Sequence, residues 1–146
     1  MLINASNQPS NFYIQTISGL CEGTTYQFAA WLLNMCSVTG INPNITFTIE
    51  KTDGTVLETY NTGDIPIINP VTWAQYGFYF TTPGGISTVV IRMRNNSPGG
   101  VGNDLGLDDI TFRPAGPAIK ATIAGSTNDT TNICADNTSS FQFTSE

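Results

Sequence analysis

The residues with the clearest potential for chemistry lie in one acidic segment, residues 102–112. Asp108 and Asp109 are adjacent within a predicted strand, so one carboxylate is expected on each face and one of them is directed toward the core. A buried carboxylate needs a partner. Ca²⁺, which binds carboxylate and carbonyl oxygens, would satisfy it, with Asp104 as a further ligand. An arginine of the preceding strand or backbone N–H groups would satisfy it without a metal.

The chain contains no histidine, and this excludes most catalytic machinery. Ser-His-Asp and Cys-His nucleophiles and two-histidine zinc sites all need imidazole. Glycoside hydrolysis by paired carboxylates needs no imidazole. Most of the eleven acids, however, lie beside turn signals such as Asp53-Gly54. The sequence therefore indicates a protein that is not an enzyme, with a calcium-dependent glycosidase as a distant alternative.

The chain has three cysteines, Cys21, Cys36 and Cys134. Cys21 and Cys36 flank the predicted strand Thr24–Met35, which separates them by far more than the ~7 Å between Cα atoms that a disulfide allows. Two interpretations stay open. The thiols are free and buried, or their partners lie on sequence outside this chain.

Strands are predicted to position these residues, because apolar and polar side chains alternate with a period of two. The Asp53-Gly54 turn joins two strands into a hairpin. The predicted strands are Asn11–Ile17, Thr24–Met35, Asn44–Lys51, Thr55–Tyr60, Val71–Thr82, Ser87–Arg94 and Leu105–Arg113. Thr24–Met35 is apolar on both faces, which favours a central strand covered on both sides over the alternative of a helix.

Length and charge bound the class of protein. A chain of 146 residues with 40% hydrophobic residues has room for one packed β-sandwich and a remainder. The net charge of −6 argues against nucleic acid as a partner, since binding phosphates needs clustered Lys and Arg. No apolar run approaches the ~20 residues of a membrane helix, so membrane insertion is not expected. The predicted fold class is all-β, an antiparallel β-sandwich.

A Pro-Ala-Gly-Pro sequence at 114–117 ends the predicted domain, because proline interrupts strand pairing. We therefore expect a β-sandwich over residues 1–117 and a separate segment over residues 118–146. That segment has two strand-like pieces, and a lone hairpin is marginal in water. The chain is accordingly interpreted as a slice of a longer multidomain protein.

Three stretches resemble the galactose-binding-like jelly rolls, which include carbohydrate-binding modules and repeat domains of Bacteroidota-type surface and gliding-adhesin proteins. They are residues 19–31 (Gly-Leu-Cys-Glu-Gly-Thr-Thr-Tyr-Gln-Phe-Ala-Ala-Trp), the aromatic strand Trp73–Phe80, and residues 104–114 (Asp-Leu-Gly-Leu-Asp-Asp-Ile-Thr-Phe-Arg-Pro). The resemblance covers roughly Leu2–Pro117. Residues from Ala118 onward resemble the opening hairpin of an immunoglobulin-like repeat.

The resemblance implies a jelly roll that binds sugars and holds a structural calcium ion. Sugar binding would use aromatic rings stacked on sugar faces, and the candidates are Trp31, Trp73, Tyr76 and Tyr79; the alternative for each is a place in the sandwich core. The calcium ligands would be Asp104, Asp108 and Asp109. Family members usually have strands before the point where this chain begins, and those strands often supply part of the calcium site.

The function that follows is a non-catalytic, extracellular cell-surface module for adhesion or carbohydrate binding within a long repetitive exported protein. Its expected partners are a glycan or cell-surface polysaccharide and neighbouring domains or identical subunits. The alternative is a structural subunit of an extracellular filament assembled by strand exchange. In that case residues 132–144 would add to an open sheet edge of another copy.

Overall fold

The computed structural model describes residues 1–37 and 39–115, together with the backbone of residues 119–120 and 144–145. Every regular element in these residues is a β-strand. The ten strands are β1 (Leu2–Ile3), β2 (Ser10–Ser18), β3 (Thr25–Asn34), β4 (Asn44–Glu50), β5 (Val56–Asp64), β6 (Ala74–Thr81), β7 (Thr88–Asn95), β8 (Leu105–Pro114), β9 (Ile119–Lys120) and β10 (Thr144–Ser145). None of the described residues belongs to a helix that could cross a membrane.

The chain divides into two compact units, Met1–Ala115 and Gly116–Glu146. In the second unit the structure describes one short antiparallel ladder, formed by β9 and β10. The predicted donor segment 132–144 lies almost entirely outside the described residues.

The first unit contains two antiparallel sheets of four strands each. Sheet A has the strand order β1-β8-β3-β6, and sheet B has the order β2-β7-β4-β5. The strands run antiparallel throughout both sheets. The predicted all-β, antiparallel sandwich is therefore confirmed.

The core lies between the two sheets and is built from the alternating residues that the sequence pattern placed on one face. Phe28 of sheet A and Phe47 of sheet B are both fully buried, and their rings meet edge to face at 5.2 Å between centroids. Tyr60 of β5 extends this cluster by stacking on Phe78 of β6 at 5.9 Å. Aromatic pairs in these geometries add to the stabilisation from burial alone.

β3 is a central strand, flanked by β8 and β6, as its apolar sequence predicted. The prediction that both of its faces are covered is wrong. Trp31 points away from the core and is 37% exposed. The outward Ala29, in contrast, is only 1% exposed. The apolar residues on this outer face therefore belong to a surface of sheet A.

Candidate functional site

The outer face of sheet A is set by the alternation along β3. Phe28, Ala30 and Leu32 are fully buried in the core. Side chains of successive strand residues point to opposite faces, so Gln27 and Trp31 project from the outer face. Gln27 and Trp31 each lie at the centre of a row of three side chains, one from each of β6, β3 and β8.

In the first row Trp31 lies opposite Gln75 of β6 and opposite Asp108 of β8. Gln75 and Asp108 are both exposed. Directly opposed side chains on one face of an antiparallel pair have Cβ atoms only ~4.5–5.5 Å apart. The indole of Trp31 therefore has a hydrogen-bonding side chain on each side.

In the second row Gln27 lies opposite Tyr79 of β6 and opposite Arg113 of β8. Tyr79 is 64% exposed, the largest exposure of any described aromatic side chain. The guanidinium of Arg113 donates two hydrogen bonds to Oε1 of Gln27, at 3.1 and 3.3 Å. These bonds fix the position of the amide beside the Tyr79 ring.

Trp73 lies just before β6 and rests on this same face. A Cβ atom placed on Gly106 of β8 would come within 2.9 Å of both Cη2 of Trp73 and Cγ of Leu33. Gly106 thus leaves the space that the edge of the indole occupies. The Trp73 side chain is 39% exposed.

The face therefore presents three partly exposed rings, and we call Trp31, Trp73 and Tyr79, with Gln27 and Gln75, the aromatic face. The positions involved run along β3 from Gln27 to Leu33, which is a distance of about 20 Å at ~3.3 Å per residue. Both glutamines were missed by the sequence analysis. The signal that could have found them is the alternation of both strands, which places Gln75 with Tyr79 on β6, and Gln27 with Trp31 on β3, on the face opposite the core.

Tyr76, the fourth aromatic candidate, has a different position. It is half-buried and packs against the hydrophobic core together with Phe78. Burial raises the pKa of its phenol. The structure thus places Tyr76 on the inner side of sheet A, apart from Trp31, Trp73 and Tyr79.

The acidic candidates do not lie as the sequence predicted. The pairing of β8 with β3 shifts register between Ala29 and Trp31, and Asp109 adopts a φ of 45°. This β-bulge inserts one extra residue. Asp108 and Asp109 are consequently both exposed, and the prediction that one of them points toward the core is wrong.

Asp104 is half-buried at the start of β8, where its carboxylate accepts a hydrogen bond from the Ala5 N–H at 2.8 Å. The Asp108 carboxylate accepts one from the Asp109 N–H at 3.0 Å. Among the described residues no three acidic or sulfur side chains lie close enough together to hold a metal ion. Calcium binding stays a prediction, and thermal unfolding with and without a chelator would check it.

Cys21 is exposed in the turn before β3, so the interpretation of a buried thiol is wrong for this residue. Its N–H donates to the hydroxyl of Tyr26 at 3.0 Å. Cys36 is partly buried just beyond the other end of β3. The strand between them separates the two cysteines, as predicted.

The outer face of sheet B is polar, and its side chains bind one another. Asn61 and Asn96 each donate hydrogen bonds to Oδ1 of Asn44 and to Oγ1 of Thr46, over distances of 2.7–3.1 Å. We call these four residues the amide network. Asn44 in turn donates to Asp64 at 2.9 Å.

An ion pair lies beside the amide network. Arg92 donates from Nε and Nη2 to the two carboxylate oxygens of Glu50, both at 3.0 Å, and Thr48 donates to Glu50 at 2.8 Å. The bond from Arg92 is the main reason that the pKa of Glu50 is lowered. The same bond raises the pKa of Arg92. Bidentate pairs of this kind are the strong ones.

Comparison with known proteins gives structural likeness only. No protein-family model matches the sequence, and no curated protein matches it. Several solved structures are similar, and three of them illustrate the likeness. One, described by the words "CBM4 structure and function", is 20% identical with a TM-score of 0.52, over 69% of this chain and 59% of that one. The C-terminal domain of EclA, a sugar-binding protein, is 14% identical with a TM-score of 0.52, over 77% and 82%.

The third is the enzymatically active domain of tailspike protein 4 from bacteriophage CBA120. It is 16% identical with a TM-score of 0.50, over 73% of this chain and 14% of that one. This chain therefore spans about three fifths of the first structure and a small part of the tailspike. The fold is a two-sheet antiparallel β-sandwich similar to that of these structures. At these identities the likeness establishes the fold and leaves the activity to the site.

Proposed function

We propose that the aromatic face of sheet A binds carbohydrate. The observation that carries the proposal is the exposure of three rings on one face: Trp31 at 37%, Trp73 at 39% and Tyr79 at 64%. Exposed aromatic rings grouped with polar side chains are typical of binding surfaces. A sugar has an apolar face of C–H groups and a rim of hydroxyls, and such a surface fits both.

The polar side chains of the face suit neutral hydroxyls. Gln27 and Gln75 each offer one acceptor oxygen and two donor N–H groups. Gln27 keeps its donors available, because its bonds with Arg113 use only its Oε1. Gln27 lies directly opposite Tyr79, and Gln75 lies directly opposite Trp31.

The face is long enough for more than one sugar unit. Its rings are spread along about 20 Å of β3, from Tyr79 opposite Gln27 to Trp73 beside Leu33. Binding to several rings at once favours an extended glycan over a single terminal sugar.

A non-catalytic role is part of the proposal. A glycosidase needs two carboxyl groups on opposite sides of the scissile bond. The described acids nearest the aromatic face, Asp108 and Asp109, are neighbours at one bulge of β8. We assign the binding to a cell-surface module of a longer exported protein, a context that rests on the family resemblance and on the partners it implies.

The proposal is tested by presenting the full chain to a glycan array and measuring the strongest hit by calorimetry. Trp31→Ala and Tyr79→Ala are each expected to weaken binding at least about tenfold. The matched control is Ile14→Ala, which removes a side chain that is 55% exposed on the outer face of sheet B. Binding that survives in both aromatic variants, or an array without any hit, would contradict the proposal.

A further inference from the structure

The outer edge of β8 is only partly covered. β1 pairs with Leu105 and Gly106 alone, and Met1 exchanges two backbone hydrogen bonds with Leu107, at 2.6 and 2.9 Å. Beyond this point, from Asp109 to Pro114, no described residue pairs with the edge. An unpaired strand edge is a template for another strand.

The register identifies the backbone groups that stay unpaired. The Ala115 N–H donates to the Thr25 carbonyl at 2.8 Å, so the backbone of Ala115 faces β3. Alternate residues of a strand direct their N–H and C=O groups to the same side. Arg113 and Thr111 therefore also bond to β3, and the N–H and C=O groups of Ile110 and Phe112 face outward. Pro114 has no N–H, which ends the donor row.

A groove lies beside this edge, between the two sheets. Its volume is about 460 Å³, and its apolar lining includes Phe12 and Ile14 of β2 and Leu107 and Ile110 of β8. Ile14 borders the groove from the outer face of sheet B and is 55% exposed. A strand added to β8 would direct its inward side chains toward this groove.

The charges along the open edge of β8 are complementary to those of the same edge in a second, antiparallel copy. Thr111 and Arg113 lie on the outer face of β8, opposite Ala29 and Gln27 of β3, and Asp109 is exposed at the bulge. The acidic residue stands at one end of the open edge and the basic residue at the other. A parallel copy in register would place like charges together, whereas an antiparallel copy centred on Thr111 would place Asp109 opposite Arg113 twice. Opposite charges across strands stabilise pairing and like charges oppose it.

We propose that the open edge of β8 pairs antiparallel with the same edge of a second copy, about a two-fold axis at Thr111. The N–H and C=O groups of Ile110 bond to those of Phe112 in the second copy, and the reverse, for four backbone hydrogen bonds. Because the same surface is used on both sides, the contact closes as a dimer. This inference does not rest on the carbohydrate proposal, and of the residues it uses only Arg113, which bonds to Gln27, also contacts the aromatic face.

The test uses the full chain and measures mass by sedimentation equilibrium. The edge is short, and interfaces below ~1,200 Å² are weak, so concentrations from about 10 µM to 1 mM are needed. Asp109→Lys and Arg113→Glu each place like charges opposite one another in a homodimer. Each is expected to weaken dimerisation about tenfold or more. Their equimolar mixture brings opposite charges together again and is expected to form a heterodimer.

The double variant D109R/R113D restores complementarity within one sequence and is expected to dimerise like the wild type. It keeps the test decisive if one single variant folds poorly. Arg94→Glu is the matched control, because it makes the same charge change on an exposed residue of β7. It is expected to leave the dimer intact.

Hydrogen exchange supplies a second measurement. The amides of Ile110 and Phe112 are expected to become protected as the concentration rises, while the amides on the edge of β5 stay unchanged. A wild-type chain that is monomeric at 1 mM would overturn the proposal. So would a dimer that both single variants preserve.

Discussion

The outer faces of the two sheets carry similar kinds of polar side chain and use them in different ways. On sheet B the amide network joins Asn44 to Asn61 and Asn96, and the carboxylate of Glu50 is held by Arg92. On sheet A the corresponding surface has three partly exposed rings. One face satisfies its hydrogen bonds within the chain, and the other leaves apolar surface and amide groups in contact with solvent.

This difference shows which polar residues are available to a ligand. A sugar hydroxyl that bonds to Asn44 must displace a bond that the chain already makes, so little free energy is gained. A sugar that stacks on Tyr79 covers apolar surface that water otherwise contacts. Richness in Asn and Thr is therefore a poor indicator of a ligand surface, whereas exposed aromatic rings are a better one.

The largest expected effect is on stability and comes from sheet B. Arg92→Ala leaves the carboxylate of Glu50, which is 10% exposed, without its cationic partner. Removing one member of a buried pair costs ~3–5 kcal/mol. Because Arg92 is 27% exposed, we expect a smaller loss, about 2–3 kcal/mol in urea unfolding.

The matched control is Arg94→Ala, since Arg94 is exposed on the same strand and the same face. It is expected to change stability by less than ~0.5 kcal/mol. Glycan binding should be unchanged in both variants. Equal destabilisation by the two substitutions would show that the Glu50–Arg92 pair contributes nothing specific.

The second prediction concerns pH and the same ion pair. Arg92 lowers the pKa of Glu50 in the folded state below the ordinary value of 4.5. The pair therefore stabilises the fold above that pH, and this contribution is lost as the pH falls through the folded-state pKa. Glu50→Gln should make the free energy of unfolding less dependent on pH below about 4.5.

Asp53 also has a lowered pKa, because its carboxylate accepts a hydrogen bond from the Thr55 N–H. It contributes acid sensitivity with the same sign. The comparison of wild type with Glu50→Gln isolates the Glu50 part, since Asp53 is common to both proteins. If the free energy of unfolding fell equally in the two proteins as the pH was lowered below about 4.5, the prediction would be contradicted.

Much of the fold could be predicted from the sequence because the alternation of side chains is a local property. The strand Asn44–Glu50 and its turn at Asp53-Gly54 lie within one residue of their predicted positions. The separation of Tyr76 from Tyr79 was also within reach. Gln75 and Gly77 mark the solvent face of that strand, which places Tyr79 outside and Tyr76 inside.

The bulge at Asp109 left a signal that the sequence analysis did not use. Inward apolar residues of β8 occupy odd positions at Leu105 and Leu107 but even positions at Ile110 and Phe112. A change of parity within one strand requires an extra residue. The place of Trp73, in contrast, could not be predicted, because it depends on a contact with Gly106, thirty-three residues away in sequence.

A third, smaller effect is expected from the amide network. Asn96→Ala removes two hydrogen bonds, to Asn44 at 3.1 Å and to Thr46 at 2.7 Å, in a partly buried setting. Asn61 still donates to both acceptors, so neither is left unsatisfied. We expect a loss of about 1 kcal/mol in the free energy of unfolding. Unchanged glycan binding in this variant would support the assignment of binding to sheet A alone.

The smallest effect on stability is expected on the aromatic face, from Gly106→Ala. The added Cβ would lie 2.9 Å from the end of the Trp73 indole and from Cγ of Leu33, both of which belong to side chains that can move. We therefore expect a loss below ~1 kcal/mol, together with a shift in tryptophan fluorescence as the indole is displaced. Glycan binding should weaken several-fold although no ring has been removed.

Gly84→Ala is the control for this substitution, because its Cβ would meet only the carboxylate end of Glu22, at 3.0 Å, in an exposed turn. It should change neither fluorescence nor binding. If Gly106→Ala shifts the fluorescence and binding stays intact, Trp73 does not contact the ligand, and the aromatic face reduces to Trp31, Tyr79 and their glutamines. If binding falls with Trp73 displaced, the geometry of the rings matters in addition to their exposure, and this is the property that sheet B lacks.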